Sequence, residues 1–317
     1  MTETFVSYSL IAVYSAMAVY TLAFVAFALD LARRSAGTVQ VAAAAPAAVL
    51  NASSVTTAVK APPAVPAVPG RSRSLRIAMA LTLIGFLLHA AGVVLRGLAA
   101  GYAPWSNMYG FAITATALIV GVFLGVQFWQ DVRYLGAYIV GFSLAFLGLA
   151  TVNFYVEVGP QPPPLQSAWL VIHVFVAILA TSFFAIGAGL SVVQLLQSRR
   201  ESGLSSARYL STVPSAVTLE NLAYRVILVG FIFWTFTLIA GAVWAERAWG
   251  RYWGWDTKEV WTFIIWTIFA GYIHARATRG WRGSRSAWLA LIGFTAVIFN
   301  FTVVNLFFKG LHSYSGL

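Results

Sequence analysis

The chain has 317 residues, of which 60% are hydrophobic and 9% charged, a composition that excludes a soluble globular domain, where about a quarter of residues carry charge. The formal net charge of +11 would suit nucleic acid, but the basic residues cluster in alternate loops, as membrane topology requires and a nucleic-acid stripe does not. There is no cysteine, so the chain forms no disulfide, thiolate metal site or thiol relay of its own.

The first apolar run covers residues 5–29 and is followed by Asp30, Arg33 and Arg34. A signal peptide would carry its positive charge before a shorter apolar core. Here Glu3 is the only early charge, which predicts a retained helix (1–34) with its N-terminus outside. Residues 35–75 are low-complexity Ala, Val and Pro, and Pro62, Pro63, Pro66 and Pro69 argue for an extended cytoplasmic linker. From 76 the spans follow quickly, at about 77–98, 108–126, 134–152, and a fifth that opens with His173 in its first turn. The sixth is expected at 226–244, the seventh from 260 to about 275 and the eighth at 287–308. The seventh is short in apolar residues and must use about 257–276 to cross.

With the N-terminus outside, all but five of the twenty Lys and Arg fall on the cytoplasmic side; the five are Arg96, Arg247, Arg251, Lys258 and Lys309. That asymmetry predicts an all-α polytopic membrane protein of about eight transmembrane helices with both termini outside, in the cell membrane. It also places the tryptophan-rich segment 241–259, His173 and His312 on one extracytoplasmic face.

That segment, GAVWAERAWGRYWGWDTKE, holds Trp244, Trp249, Trp253 and Trp255 among six charged residues. Tryptophan is enriched at membrane interfaces, so a belt is one reading. A platform for a large planar ligand with charged edges is the other. Asp256 and Glu259 fit a capping box that opens the next helix. Imidazole is a good ligand for haem iron, and two histidines at the platform favour the second reading. His89 and His274 lie within spans, where ionisable groups are functional candidates. Asn300 and Asn305 fit interhelical hydrogen bonding. Arg96 follows His89 by seven residues, on the same helix face, where it could pair with a haem propionate or snorkel to the surface.

The stretch AVWAERAWGRYWGWDTKEVW resembles the WWD motif of the CcsA (ResC) type haem-handling proteins of system II cytochrome c biogenesis, whose wider superfamily includes the CcmC and CcmF types. The likeness covers roughly 76–317, through HAAGVVLRGLAAGYAPWSNMY, LQSAWLVIHV, LENLAYR and VNLFFKGLHSYSGL. It implies a haem-handling transmembrane core with haem b as bound substrate. His173 and His312 would be outer axial ligands, and His89 and His274 a pair within the membrane. Catalysis would lie at Trp249, Trp253, Trp255 and Asp256, with thioether attachment to the CxxCH of apocytochrome c. The implied partners are a ResB-type membrane subunit, apocytochrome c and a thioredoxin-like thiol reductant, without nucleic acid. A haem exporter without attachment activity and a structural scaffold are the alternatives. Three features depart from the family pattern: Gly110 stands where an acidic residue is common, the Ala/Pro linker has no counterpart, and no large outer domain is expected, so the synthase implied by the resemblance needs its ResB-type partner.

Overall fold

The computed structural model describes residues 1–43, 72–278 and 280–312, with side chains from 36 to 43 left aside. Among the described residues every element is helical: α1 (Thr2–Ala43), α2 (Arg73–Ala100), α3 (Met108–Val126), α4 (Gly136–Asn153), α5 (Ala168–Glu201), α6 (Ala216–Trp249), α7 (Thr257–Ala277), α8 (Ser284–Phe301) and α9 (Val303–Phe307). In lipid only such internally bonded segments, or a closed barrel, satisfy the backbone. The protein is a polytopic helical membrane protein.

Two antiparallel pairs form the frame, α1 with α2 and α5 with α6; α3 and α4 bridge them, and α7 and α8 complete the α5–α6 side. Small residues allow the close approach. On α2, a Cβ at Gly85 would lie 2.7 Å from the Tyr20 ring, and one at Gly92 would lie 2.8 Å from Val13. The buried face of α2 therefore runs Gly85, His89, Gly92, Arg96, Ala99.

Among the described residues seven helices are long and apolar enough to cross a membrane, one fewer than the eight expected. The exception is α7, 21 residues, about 31 Å long at the helical rise and so as long as a bilayer's hydrocarbon core is thick. Its composition explains the shortfall: Lys258, Glu259 and Arg276 lie within it, two of them at its first turn.

Three boundaries differ from the sequence expectation. The first helix runs on to Ala43, into the stretch expected to be linker; positions 44–71, with the four prolines, lie outside the described residues. Ser167 caps α5, its hydroxyl accepting from the Trp169 N–H at 3.2 Å, so His173 falls in the second turn rather than the first. The sixth helix continues through Glu246 and Arg247 to Trp249 and stops at Gly250, whose φ of 70° is the left-handed cap that glycine adopts freely.

Candidate functional site

The segment expected to be a surface platform is a helix end, a seven-residue turn (250–256) and a helix start. Half of its tryptophans ride on α6. Asp256 opens α7 as its N-cap, and the capping box is complete: Glu259 Oε2 accepts from the N–H groups of Gly254 (2.8 Å) and Asp256 (3.0 Å). This anchors the turn in place.

Against it lies an open cavity whose space, mouth included, is about 1120 Å³. Its walls come from α5, α6, α7, α8 and the 105–107 turn, and include His173, His312, Trp105, Trp234, Trp244 and Trp253. The two histidines reach it from α5 and from the segment after α9, 139 positions apart along the chain. Trp244, 2% exposed and fixed by its indole N–H donating to the Pro164 carbonyl at 3.0 Å, holds both. The His173 ring stacks on it at 5.9 Å and 12°, and the His312 ring meets it edge-on at 5.5 Å.

The hydrogen bonds decide which nitrogen each ring offers. His173 Nδ1 lies 3.0 Å from the Thr237 carbonyl, which only accepts, so Nδ1 carries the proton and Nε2 the lone pair. Close packing against α6 makes that bond possible, since a Cβ at Gly241 would lie 2.7 Å from His173 Cε1. His312 Nδ1 lies 2.7 Å from Asp256 Oδ2. The Asp256 carboxyl is held below its ordinary value, first by that hydrogen bond, against the opposing effect of burial. An ionised carboxylate accepts, so His312 likewise keeps its lone pair on Nε2. A ring whose Nδ1–H is tied to an oxygen is the arrangement that orients a metal-ligating imidazole. Among the described residues no group of three or more His, Cys, Asp or Glu is placed to hold a bare metal ion. Two such imidazoles beside a wide aromatic cavity fit an iron whose other ligands come from a macrocycle.

The other expected site residues separate. Trp253 lines the cavity. Trp249 stands behind it, against His312 at 4.9 Å and Trp244 at 4.7 Å, and supports rather than forms the wall. Trp255 is 76% exposed. Asp256 does more than cap a helix, because it also carries His312.

His89 and His274 are not brought together. His89 is fully buried between α2 and α1, its Nδ1 3.4 Å from the Tyr20 hydroxyl, and its Nε2 is walled in without a partner. His274 is exposed near the end of α7, which packs on α6 and α8, whereas α2 packs on α1, α3 and α4. Arg96 shares the buried face of His89, as expected, but its guanidinium lies between the rings of Tyr109 (5.1 Å) and Tyr155 (5.3 Å) and donates to the Val156 carbonyl. It neither snorkels nor turns toward His89. It clamps the 154–158 loop instead. Gly110 also has a physical reason: a Cβ there would lie 2.5 Å from the Pro104 carbonyl oxygen, so no carboxylate fits.

Sequence reasoning left Trp105, Thr237 and Lys258 out of the site. Trp105 lies in the short GYAPWSN turn, where a tryptophan beside proline was a usable signal; a threonine carbonyl and one lysine among twenty basic residues gave none.

The family model described as cytochrome C assembly protein matches residues 77–312. The chain belongs to that family. Among its relatives, the cytochrome c biogenesis protein CcsA of Guillardia theta is 36% identical over 240 residues, 70% of this chain and 80% of the relative. The CcsA protein of Microcystis aeruginosa is 33% identical over 299 residues, covering 80% and 89%. That of Synechococcus elongatus is 35% identical over 275 residues, covering 73% and 85%. Membership places this chain in cytochrome c biogenesis. The matched span of the cytochrome c assembly family begins within α2 and ends at His312, so it contains the whole cavity.

Proposed function

We propose that this chain is the haem-handling subunit of a cytochrome c synthase, with haem b as substrate in the cavity between His173 and His312. One observation carries the reading: two imidazoles, each with Nδ1–H tied to an oxygen, share one aromatic cavity. Haem brings a planar ring of apolar surface and an iron with two open axial positions. His173 and His312 supply the axial nitrogens; Trp244 and Trp253 supply apolar wall and exclude water.

The attachment is an addition. Each apocytochrome thiol adds across one vinyl group, sulfur bonding one carbon and the proton going to the other, with no net oxidation. Both thiols belong to the apocytochrome CxxCH, which agrees with a chain that contains no cysteine. This chain's part is to hold and orient. Asp256 keeps the His312 ring in its ligating tautomer, and the Glu259 cap keeps Asp256 in place. The excess of Lys and Arg in the loops opposite the cavity supports a cavity facing the extracytoplasmic side of the plasma membrane. A ResB-type subunit and a thioredoxin-like reductant complete the proposed machinery.

The test is co-expression with a ResB-type subunit and a CxxCH apocytochrome, with covalent haem read after denaturing electrophoresis and the purified chain read by absorption spectroscopy. The proposal expects a bis-histidine haem spectrum and haem-stained cytochrome c. Haem binding without any covalent product would make the chain an exporter, and no haem at all would leave a scaffold.

A further inference from the structure

Apart from its imidazoles, the cavity contains a cation and an amide that the protein leaves unmatched. Lys258, in the first turn of α7, lines it. Its ammonium donates to the Asn300 main-chain carbonyl at 3.2 Å and to the Asn305 amide oxygen, and lies 4.8 Å above the Phe301 ring. These partners are neutral, and no carboxylate pairs with Lys258 among the described residues. Asn300 also lines the cavity. Its side chain is fully buried, and neither its Nδ2 nor its Oδ1 has a partner. The sequence expectation that this amide bonds to a neighbouring helix is thereby overturned.

Buried polar groups are bonded as a rule, and an orphan is costly. The nearby acids are already engaged. Asp256 accepts from His312, from Leu311 N–H (3.1 Å) and from Lys258 N–H (3.3 Å). Glu259 gives Oε2 to the cap, and its Oε1 is buried without a partner. A ligand carboxylate would pair with the ammonium and accept from the orphan Asn300 Nδ2–H, a charge-assisted arrangement.

We propose that Lys258 and Asn300 form a carboxylate-binding subsite that seats a propionate of the cavity's haem and so fixes the rotation of the ring about the His173–His312 axis. This rests on haem being the occupant. Rotation matters because only a fixed ring presents its vinyl groups at one place. Asn305 positions the ammonium from α9.

The full chain in detergent is titrated with haem and with haem dimethyl ester, in which both propionates are esterified, and binding is read by tryptophan quenching. The unaltered chain should bind haem roughly ten-fold or more tighter than the ester, the size of a hydrogen bond to a charged group. Lys258→Met should abolish that preference, Lys258→Arg should retain most of it, and Asn300→Leu should reduce it. Equal binding of haem and ester by the unaltered chain would overturn the subsite and leave the haem reading intact. Failure to bind either would overturn both. Displacement of haem by oleate at matching concentration would assign the cation to lipid carboxylates and overturn the subsite.

Discussion

The two ends of the α6–α7–α8 layer treat buried charge in opposite ways. At the end opposite the cavity, Arg276 and Glu220 are both buried and lie 3.0 Å apart from Nε to Oε1, with the N–H pointing off the oxygen. Arg276 also donates to the Asn221 amide oxygen at 2.7 Å, and Glu220 accepts from Gly283 N–H at 3.0 Å and the Ser286 hydroxyl at 3.3 Å. Nearly every hydrogen-bonding position there is filled from within the chain. At the cavity end, among the described residues, the ammonium of Lys258 makes no ion pair and the Asn300 side-chain amide has no hydrogen-bond partner. The same fold thus closes one set of buried polar groups and leaves the other open. Closure fits a structural lock, and openness beside a cavity fits the proposed ligand site.

The largest effect should come from breaking the closed end. Glu220→Ala leaves Arg276 buried and uncompensated, a loss of about 3–5 kcal/mol. Thermal unfolding in detergent should show it, while cytochrome c formed per folded molecule stays level. The double replacement Glu220→Met with Arg276→Leu should recover most of the stability. A lost activity in the double variant, at normal folded yield, would make this end functional and dissolve the contrast.

The open end should respond in the reverse sense. His173→Gly or His312→Gly would remove a proposed axial nitrogen and should lower covalent cytochrome c formation more than roughly 100-fold, beyond the 10–100-fold typical of outer-shell loss. Unfolding temperature should change little. Added imidazole should restore part of the activity. Full activity in both variants would remove the two histidines from the mechanism.

Asp256→Asn separates capping from orientation, because Asn is as good an N-cap as Asp. Activity should fall by roughly ten-fold, from weaker anchoring of His312. The pH signature follows from the lowered carboxyl value, set mainly by the His312 hydrogen bond. A depressed carboxyl contributes stability that is present above its unfolded value, near 3.8, and disappears as pH falls through the lower folded one. The stability gap between the unaltered chain and Asp256→Asn should therefore be flat from neutral pH to about 4 and close only in stronger acid.

Much of this contrast was hidden in the sequence for definable reasons. Apolar runs located the helices well, the third falling on Met108–Val126 as expected, because burial in lipid is a local property of composition. The capping box of Asp256 and Glu259 was legible for the same reason, its partners being three residues apart. The meeting of Asp256 with His312, 56 positions along the chain, was not, nor was the sharing of one tryptophan by His173 and His312. His89 shows the limit of a local pattern. Its place within a span was read correctly, but the Tyr20 hydroxyl of α1 that meets its Nδ1 lies 69 positions away along the chain. Asn300 was expected to bond a neighbour because polar residues in spans usually do, and only the packed structure shows that no neighbour supplies the bond.

The smallest effect concerns Trp255 and asks whether the exposed edge of the open end is strained for a reason. Its φ is 60°, in the left-handed region that costs a residue with a Cβ roughly 1–2 kcal/mol. The preceding residue explains part of the conformation. Gly254 is where the Arg251 guanidinium packs, so close that a Cβ would overlap it, and the turn must then bend at the next position. Trp255 keeps one ring contact, edge-on to Trp253 at 5.8 Å, which offsets some of the strain but leaves most of its surface uncovered. Trp255→Gly relieves the backbone and forfeits only that contact, so unfolding should shift upward by up to about 1 kcal/mol. If the ring serves the fold alone, cytochrome c formation should be unchanged in the stabilised variant. Stabilisation with a several-fold loss of product would show instead that the strain holds an indole ready for the incoming apocytochrome, and would extend the open end beyond the cavity mouth.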